Sequence, residues 1–99
     1  MIKVIIGYKM KPGADVLPML LKLRSHAMTY PGYVGAENLM NNKDVSIIAI
    51  ITTWEDVEYF RDWEKSRSRV AIIKEYRDSL AEEPKVTIYR IIPTQKWMI

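Results

Sequence analysis

The order of apolar patterns along the 99 residues predicts an α+β fold of the ferredoxin-like kind, β-α-β-β-α-β. Three observations carry this. Both ends of the chain hold strand-patterned segments, two stretches with apolar residues at three- and four-residue spacing separate them, and a polar turn joins two strands in the middle. Right-handed crossovers then place both helices on one face of a four-stranded antiparallel sheet. One domain spanning residues 1–99 is expected, since the length suits a single core and no composition shift marks a linker.

In the first strand, Ile2 to Met10, the even positions Ile2, Val4, Ile6, Tyr8 and Met10 are apolar and Lys3, Gly7 and Lys9 fall on the other face. Lys11-Pro12-Gly13 ends it. A helix is predicted over Ala14 to Thr29, with Val16, Leu17, Leu20, Leu23, Ala27 and Met28 as its apolar stripe. Pro18 is tolerated in the first turn, where its missing N–H has no intrahelical partner. Tyr30-Pro31-Gly32 closes this helix, and a strand follows from Tyr33 to Met40.

Asn41 to Asp44 has turn chemistry and leads to a third strand, Val45 to Trp54, that is apolar on both faces and so must be covered twice. Asp56 suits the N-cap of a helix that carries Val57, Phe60 and Trp63, then continues or restarts through Val70, Ile73, Tyr76 and Leu80. Glu82-Glu83-Pro84 breaks it. The last strand is expected over Lys85 to Ile92. Helices on one face leave the other face of an apolar sheet bare, which predicts a homodimer packed sheet to sheet, with the C-terminal residues Trp97, Met98 and Ile99 in tail 93–99 crossing onto the partner.

The chain has no cysteine and a single histidine, His26, which excludes disulfides, iron–sulfur clusters and thiolate zinc sites and leaves no histidine cluster for a transition metal. The net charge of +3 is modest, and helix cations have acids three or four residues away, such as Glu58 with Arg61. The third strand carries no aromatic until Trp54 on which a base could stack. Nucleic-acid binding is therefore not expected. No apolar run spans a bilayer and the N-terminus reads as a strand instead of a leader, so the expected location is the cytoplasm, away from membranes.

Three stretches carry a family likeness: Lys11-Pro12-Gly13, the run Pro31-Gly32-Tyr33-Val34-Gly35-Ala36-Glu37, and Trp54 through Ser66 with its second tryptophan Trp63. Together the chain resembles the antibiotic biosynthesis monooxygenase domain family. The resemblance implies a dimeric α+β barrel with a pocket in each subunit between the sheet and the two helices. It implies either cofactor-independent oxygenation of anthrone- or quinol-type phenols by O₂ or haem opening. The haem branch's axial histidine falls at Ile73 and its first-strand asparagine at about Ile6, and isoleucine cannot ligate iron. In the anthrone branch, polar pocket groups fall at Ile50 and Phe60, while Trp54 agrees. Trp63 matches a functional tryptophan of the haem branch, against which stands a core role on the inward stripe of its helix.

The residues expected at the site follow. His26 is the first candidate base, because its ordinary pKa is near neutrality; the alternative is a surface or half-buried histidine with a local hydrogen bond. Trp63 is paired with it as a catalytic candidate. Tyr8, Asn38, Ile50, Trp54, Phe60 and Ile73 are the substrate-binding candidates, with Tyr8 and Asn38 supplying polar contacts. Arg24, Arg67 and Arg69 either guard a pocket mouth, attract an acidic substrate, or are solvated. The function expected is a monooxygenase of small aromatic molecules that needs no metal or organic cofactor. The alternative is a non-catalytic dimeric module that binds a hydrophobic or aromatic ligand.

Overall fold

The structure, a computed structural model, describes residues 1–93. The alternation in β1 (Ile2–Lys9) sends Ile2, Val4, Ile6 and Tyr8 to one face, all buried. Antiparallel β3 (Ile47–Trp54) matches them in register, Ile2 opposite Trp54, Val4 opposite Thr52, Ile6 opposite Ile50 and Tyr8 opposite Ile48. With β2 (Tyr33–Met40) and β4 (Lys85–Arg90) the strand order is β2-β3-β1-β4, antiparallel throughout. This is the ferredoxin-like order that the sequence predicts.

β3 begins at Ile47 and not at Val45, because the turn uses more residues than its polar run suggests. The Asn41 side-chain oxygen accepts from the Lys43 and Asp44 N–H groups at 2.8 and 3.0 Å, and the Asp44 carboxylate accepts from the Ser46 N–H and hydroxyl at 3.0 and 2.6 Å. Lys9 Nζ closes the turn onto β1 at 3.0 Å from Asp44. The last strand likewise stops at Arg90, short of Ile92.

Helix α1 (Leu17–Ala27) starts three residues later than the periodicity suggests, with the Asp15 carboxylate accepting the Leu17 N–H at 3.1 Å. Its inward stripe is Met19, Leu20, Leu23 and Ala27, whereas Leu17 and Met28, predicted inside, are more than half exposed. Both fall outside the arc of about 100° that this stripe spans, Leu17 by about 60° and Met28 by about 80°. Asp56 caps α2 (Val57–Glu64) as expected, its carboxylate 2.6 Å from the Val57 N–H. The helix then ends at Lys65, and the Ser66 hydroxyl accepts the Arg69 N–H at 3.2 Å as the N-cap of a new helix, α3 (Arg67–Tyr76). That restart resets the helical phase. Ile72 and Ile73 are buried, Val70 is exposed, and Leu80 lies beyond the helix in a bridge to Met10. Arg61 pairs with Glu64 at 2.9 Å, not with Glu58.

Behind the sheet's inner face Trp54 and Phe60 are fully buried, with ring centroids 6.2 Å apart, and Tyr33 meets Trp54 edge-on at 5.6 Å. Gly32 sets the entry to β2. Its φ of +82° suits glycine, and a Cβ there would collide with the Tyr59 side chain. On the outer face Leu39, Ile47, Ala49, Ile51 and Ile5 form an apolar strip that belongs to no helix contact in the core. The expected crossing of Trp97, Met98 and Ile99 onto a partner lies outside the described residues. No helix among the described residues is long and apolar enough to cross a membrane.

The turn supplies a pH test. Hydrogen bonds from Ser46 and then from Lys9 hold the Asp44 carboxyl down at about 2, from an ordinary 3.8. The unfolded chain thus takes up this proton more readily than the folded one. The stabilisation is complete above 3.8 and lost as pH falls through about 2. Urea unfolding across this range should show Asp44→Asn losing less stability with falling pH than the parent chain. Equal losses would contradict the role given to Asp44.

Candidate functional site

One cavity opens between the inner face of the sheet and the helices. Ile6, Tyr8, Ala36, Asn38, Ile50 and Thr52 form its sheet side, and Leu20, Leu23, Arg24 and Ala27 of α1 form its roof. Trp63 at the end of α2, Arg69 in the first turn of α3, and Tyr33 complete it. Asn38 and Arg24 are exposed and Arg69 is half-buried, so these three stand toward solvent, whereas Ile6, Tyr8, Ile50 and Trp63 are buried. The space amounts to about 410 Å³ counted out to its mouth, yet the centre of a water molecule can occupy only about 20 Å³ of it. That is room for about one water. A flat ring therefore enters only when side chains at the mouth move aside.

The polar groups inside are held from behind. Trp54 Nε1 donates to Thr52 Oγ1 at 2.9 Å, which fixes the Thr52 hydroxyl while leaving its own hydrogen free to donate into the cavity. Burial pushes the Tyr8 phenol up from its ordinary value, and the Arg69 guanidinium within hydrogen-bonding reach only partly offsets this. Tyr8 is then a neutral hydrogen-bond donor at physiological pH. Trp63 is fixed by Tyr30, whose ring stands edge-on to it at 5.0 Å. Hydrogen bonds with Ser66 and then Ser68 pull the Tyr30 phenol down, tying the end of α1 to the α2–α3 break.

Of the residues predicted for the site, Tyr8, Asn38, Ile50 and Trp63 come together in this cavity. Trp54 and Phe60 lie in the core that supports it and do not line it. Ile73 lies instead in an open groove between α3 and β4, with Val70, Val86, Arg77 and Glu83. His26 is exposed on α1, its backbone carbonyl accepting the Thr29 hydroxyl at 2.7 Å, and it is not part of the lining. The helix turn explains this: Leu23 and Ala27 face the sheet four residues apart, which points position 26 about 100° away. Thr52 is a site residue that the sequence did not single out. Its signal was its alternation in phase with Ile48, Ile50 and Trp54 as the one polar residue on an apolar inner face. Arg24 and Arg69 take the pocket-mouth option, and Arg67 is exposed and outside the lining.

These environments separate the tyrosines. In a spectrophotometric titration above neutrality Tyr30→Phe should remove an early ionisation, below the ordinary value of 10.0, and Tyr8→Phe one that lies above it. The order reversed would contradict the burial of the Tyr8 hydroxyl beside Arg69.

No family model matches the chain, and no curated protein matches it either. Solved structures do. One described as an antibiotic biosynthesis monooxygenase superposes with a TM-score of 0.84 at 20% identity, covering 94% of this chain and 100% of that one. A conserved protein from Methanosarcina mazei gives 0.82 at 18% identity, covering 90% of each chain. SnoaB, a cofactor-independent oxygenase from Streptomyces nogalater, gives 0.82 at 14% identity, covering 94% of each. At these identities it is the architecture that is shared: this chain has the fold of the antibiotic biosynthesis monooxygenases.

Proposed function

We propose that the protein is a cofactor-independent monooxygenase of small aromatic substrates of the anthrone or quinol type, working in the helix–sheet cavity as a homodimer. The observation that carries this reading is a slot with apolar walls whose polar groups can all donate hydrogen bonds: Tyr8, Thr52, Asn38, Arg24 and Arg69. No Asp, Glu or His lines it among the described residues. Such a site does not abstract a proton with a strong base. It favours loss of the proton by stabilising the anion that remains. The fold's likeness to a cofactor-independent oxygenase supports the same chemistry.

For an anthrone the steps balance without further reagents. The ring CH₂ loses a proton to solvent, and the enolate oxygen takes hydrogen bonds from the Tyr8 and Thr52 hydroxyls with the Arg69 charge close by. The carbanion adds O₂ and takes back a proton, giving a hydroperoxide. Loss of water then leaves a carbonyl, so CH₂ and O₂ become C=O and H₂O. The apolar walls, Ile6, Ile50, Leu20 and Leu23, hold the ring and exclude water from the peroxide. Trp63 positions the ring. The narrowness of the slot favours the second reading, a module that binds an aromatic ligand without turnover.

Slow O₂ uptake with an anthrone, insensitive to chelators, is the expected result. Tyr8→Phe should reduce it by about 100-fold, the usual order for loss of one oxyanion donor. His26→Gln should leave it unchanged, since His26 is outside the cavity. Uptake no faster than with heat-denatured protein, alongside retained ligand binding, would replace the oxygenase by the binding module.

The homodimer is proposed from the bare strip of Ile5, Leu39, Ile47, Ala49 and Ile51, which a second copy would cover. Light scattering at low micromolar concentration should give twice 11.6 kDa, and Ile51→Glu should give the monomer mass. A monomeric parent chain would contradict it.

A further inference from the structure

Charge of one sign lines the cavity. Arg24 reaches it from α1 and Arg69 from α3, and neither forms an ion pair among the described residues. Elsewhere on these helices cations do find acids: Lys22 pairs with Glu75 at 2.8 Å and Arg61 with Glu64 at 2.9 Å. Glu64 meets Arg69 only through its backbone carbonyl, which accepts from Arg69 Nη1 at 3.3 Å. Its carboxylate is turned to Arg61. Arg69 also borders the open groove between α3 and β4, which Glu64, Glu83 and Arg77 line, whereas no acid lines the cavity among the described residues. Two guanidinium groups at the mouth of an apolar slot, Arg24 exposed and Arg69 half-buried, repel one another, and Arg69 gives up part of its hydration. An anion between them relieves both costs.

We propose that the ligand of this cavity is an aromatic carboxylate, its ring against Ile6, Ile50 and Trp63 and its carboxylate between Arg24 and Arg69. This rests on the cavity being the ligand site and names the substrate class. The planar fork of each guanidinium matches a carboxylate, which also carries its full charge at neutral pH whereas most phenols do not. The carboxylate anchors the molecule at the mouth and leaves the oxidisable ring inside, beside Tyr8 and Thr52.

Calorimetric titration of the full chain with 2-naphthoate and its neutral isostere 2-naphthamide tests this, with benzoate and benzamide as a smaller pair. The acid of at least one pair should bind about tenfold tighter than its amide. In the Arg24→Gln/Arg69→Gln double variant that preference should vanish while amide binding persists, showing the cavity intact. Arg67→Gln, which alters an exposed arginine outside the lining, should keep the preference. Amides binding as well as acids would overturn the charge assignment yet leave the cavity as the ligand site. A preference that survives the double variant, or falls equally in Arg67→Gln, would overturn it as nonspecific attraction. Binding of none of the four compounds would overturn both the assignment and the cavity as an aromatic site, whatever the oxygen-uptake result.

Discussion

Pairing Ile6 with Ile50 and Tyr8 with Ile48 across the centre of the sheet commits every other element to its place. Side chains alternate along a strand, so one residue of slip in β1 would bring Lys3, Gly7 and Lys9 under the helices and turn Val4, Ile6 and Tyr8 outward. Two lysines would then be buried with no acid on the inner face of β3 to meet them. The register is held at one end by Ile2 against Trp54, and at the other by the turn that ties Asp44 to Lys9. It also decides where chemistry can occur. Tyr8 is the inward residue of β1 that carries a hydroxyl, and Thr52 its counterpart on β3.

The helices complete the cavity through specific breaks in regularity. Had α2 continued through Lys65, residue 69 would be carried on around the same axis. The Ser66 cap redirects the chain, and Arg69 returns to the space beside Tyr8. Tyr30 braces this break from the end of α1, and Trp63 closes the slot against it. Trp54 has a different task. Buried with Phe60 and Tyr33, it gives the sheet a rigid backing and orients Thr52 through its indole N–H. Residues that do not touch the cavity thus determine the direction of those that do.

The strand order and the inner face of β1 were legible because period-two alternation is local and strong; β2 lies where its residues predict. Alternation sets Asn38 and Glu37 on opposite faces without saying which is inward, and the pairing of Asn38 with Ile50 decides it. Helix phase was harder. The sequence left open whether the helix continues or restarts after Trp63 and grouped Val70 with its apolar residues, and the restart at Ser66 leaves Val70 exposed. Ile73 is buried as expected but faces the α3–β4 groove. His26 stood out as the one imidazole of the chain, yet chemical suitability says nothing of direction, and the turn of α1 points it to solvent. The arginines were ambiguous because placement is a tertiary property. Arg61 and Glu64 are three residues apart on α2 and pair locally, but only the turn of the chain at Ser66 brings Arg69 to the Glu64 carbonyl and the edge of the cavity.

The central claim is that this narrow slot is a ligand site that opens for a flat aromatic molecule and holds it against hydrogen-bond donors. The most direct measurement is a crystal structure of the protein soaked, without oxygen, in an anthrone that carries a carboxylate. The account predicts ring density between Ile6, Ile50 and Trp63, the ring oxygen within hydrogen-bonding distance of the Tyr8 and Thr52 hydroxyls, and the carboxylate at Arg24 and Arg69. Density in the α3–β4 groove or on the outer face of the sheet, with the slot still closed behind Trp63, would contradict it.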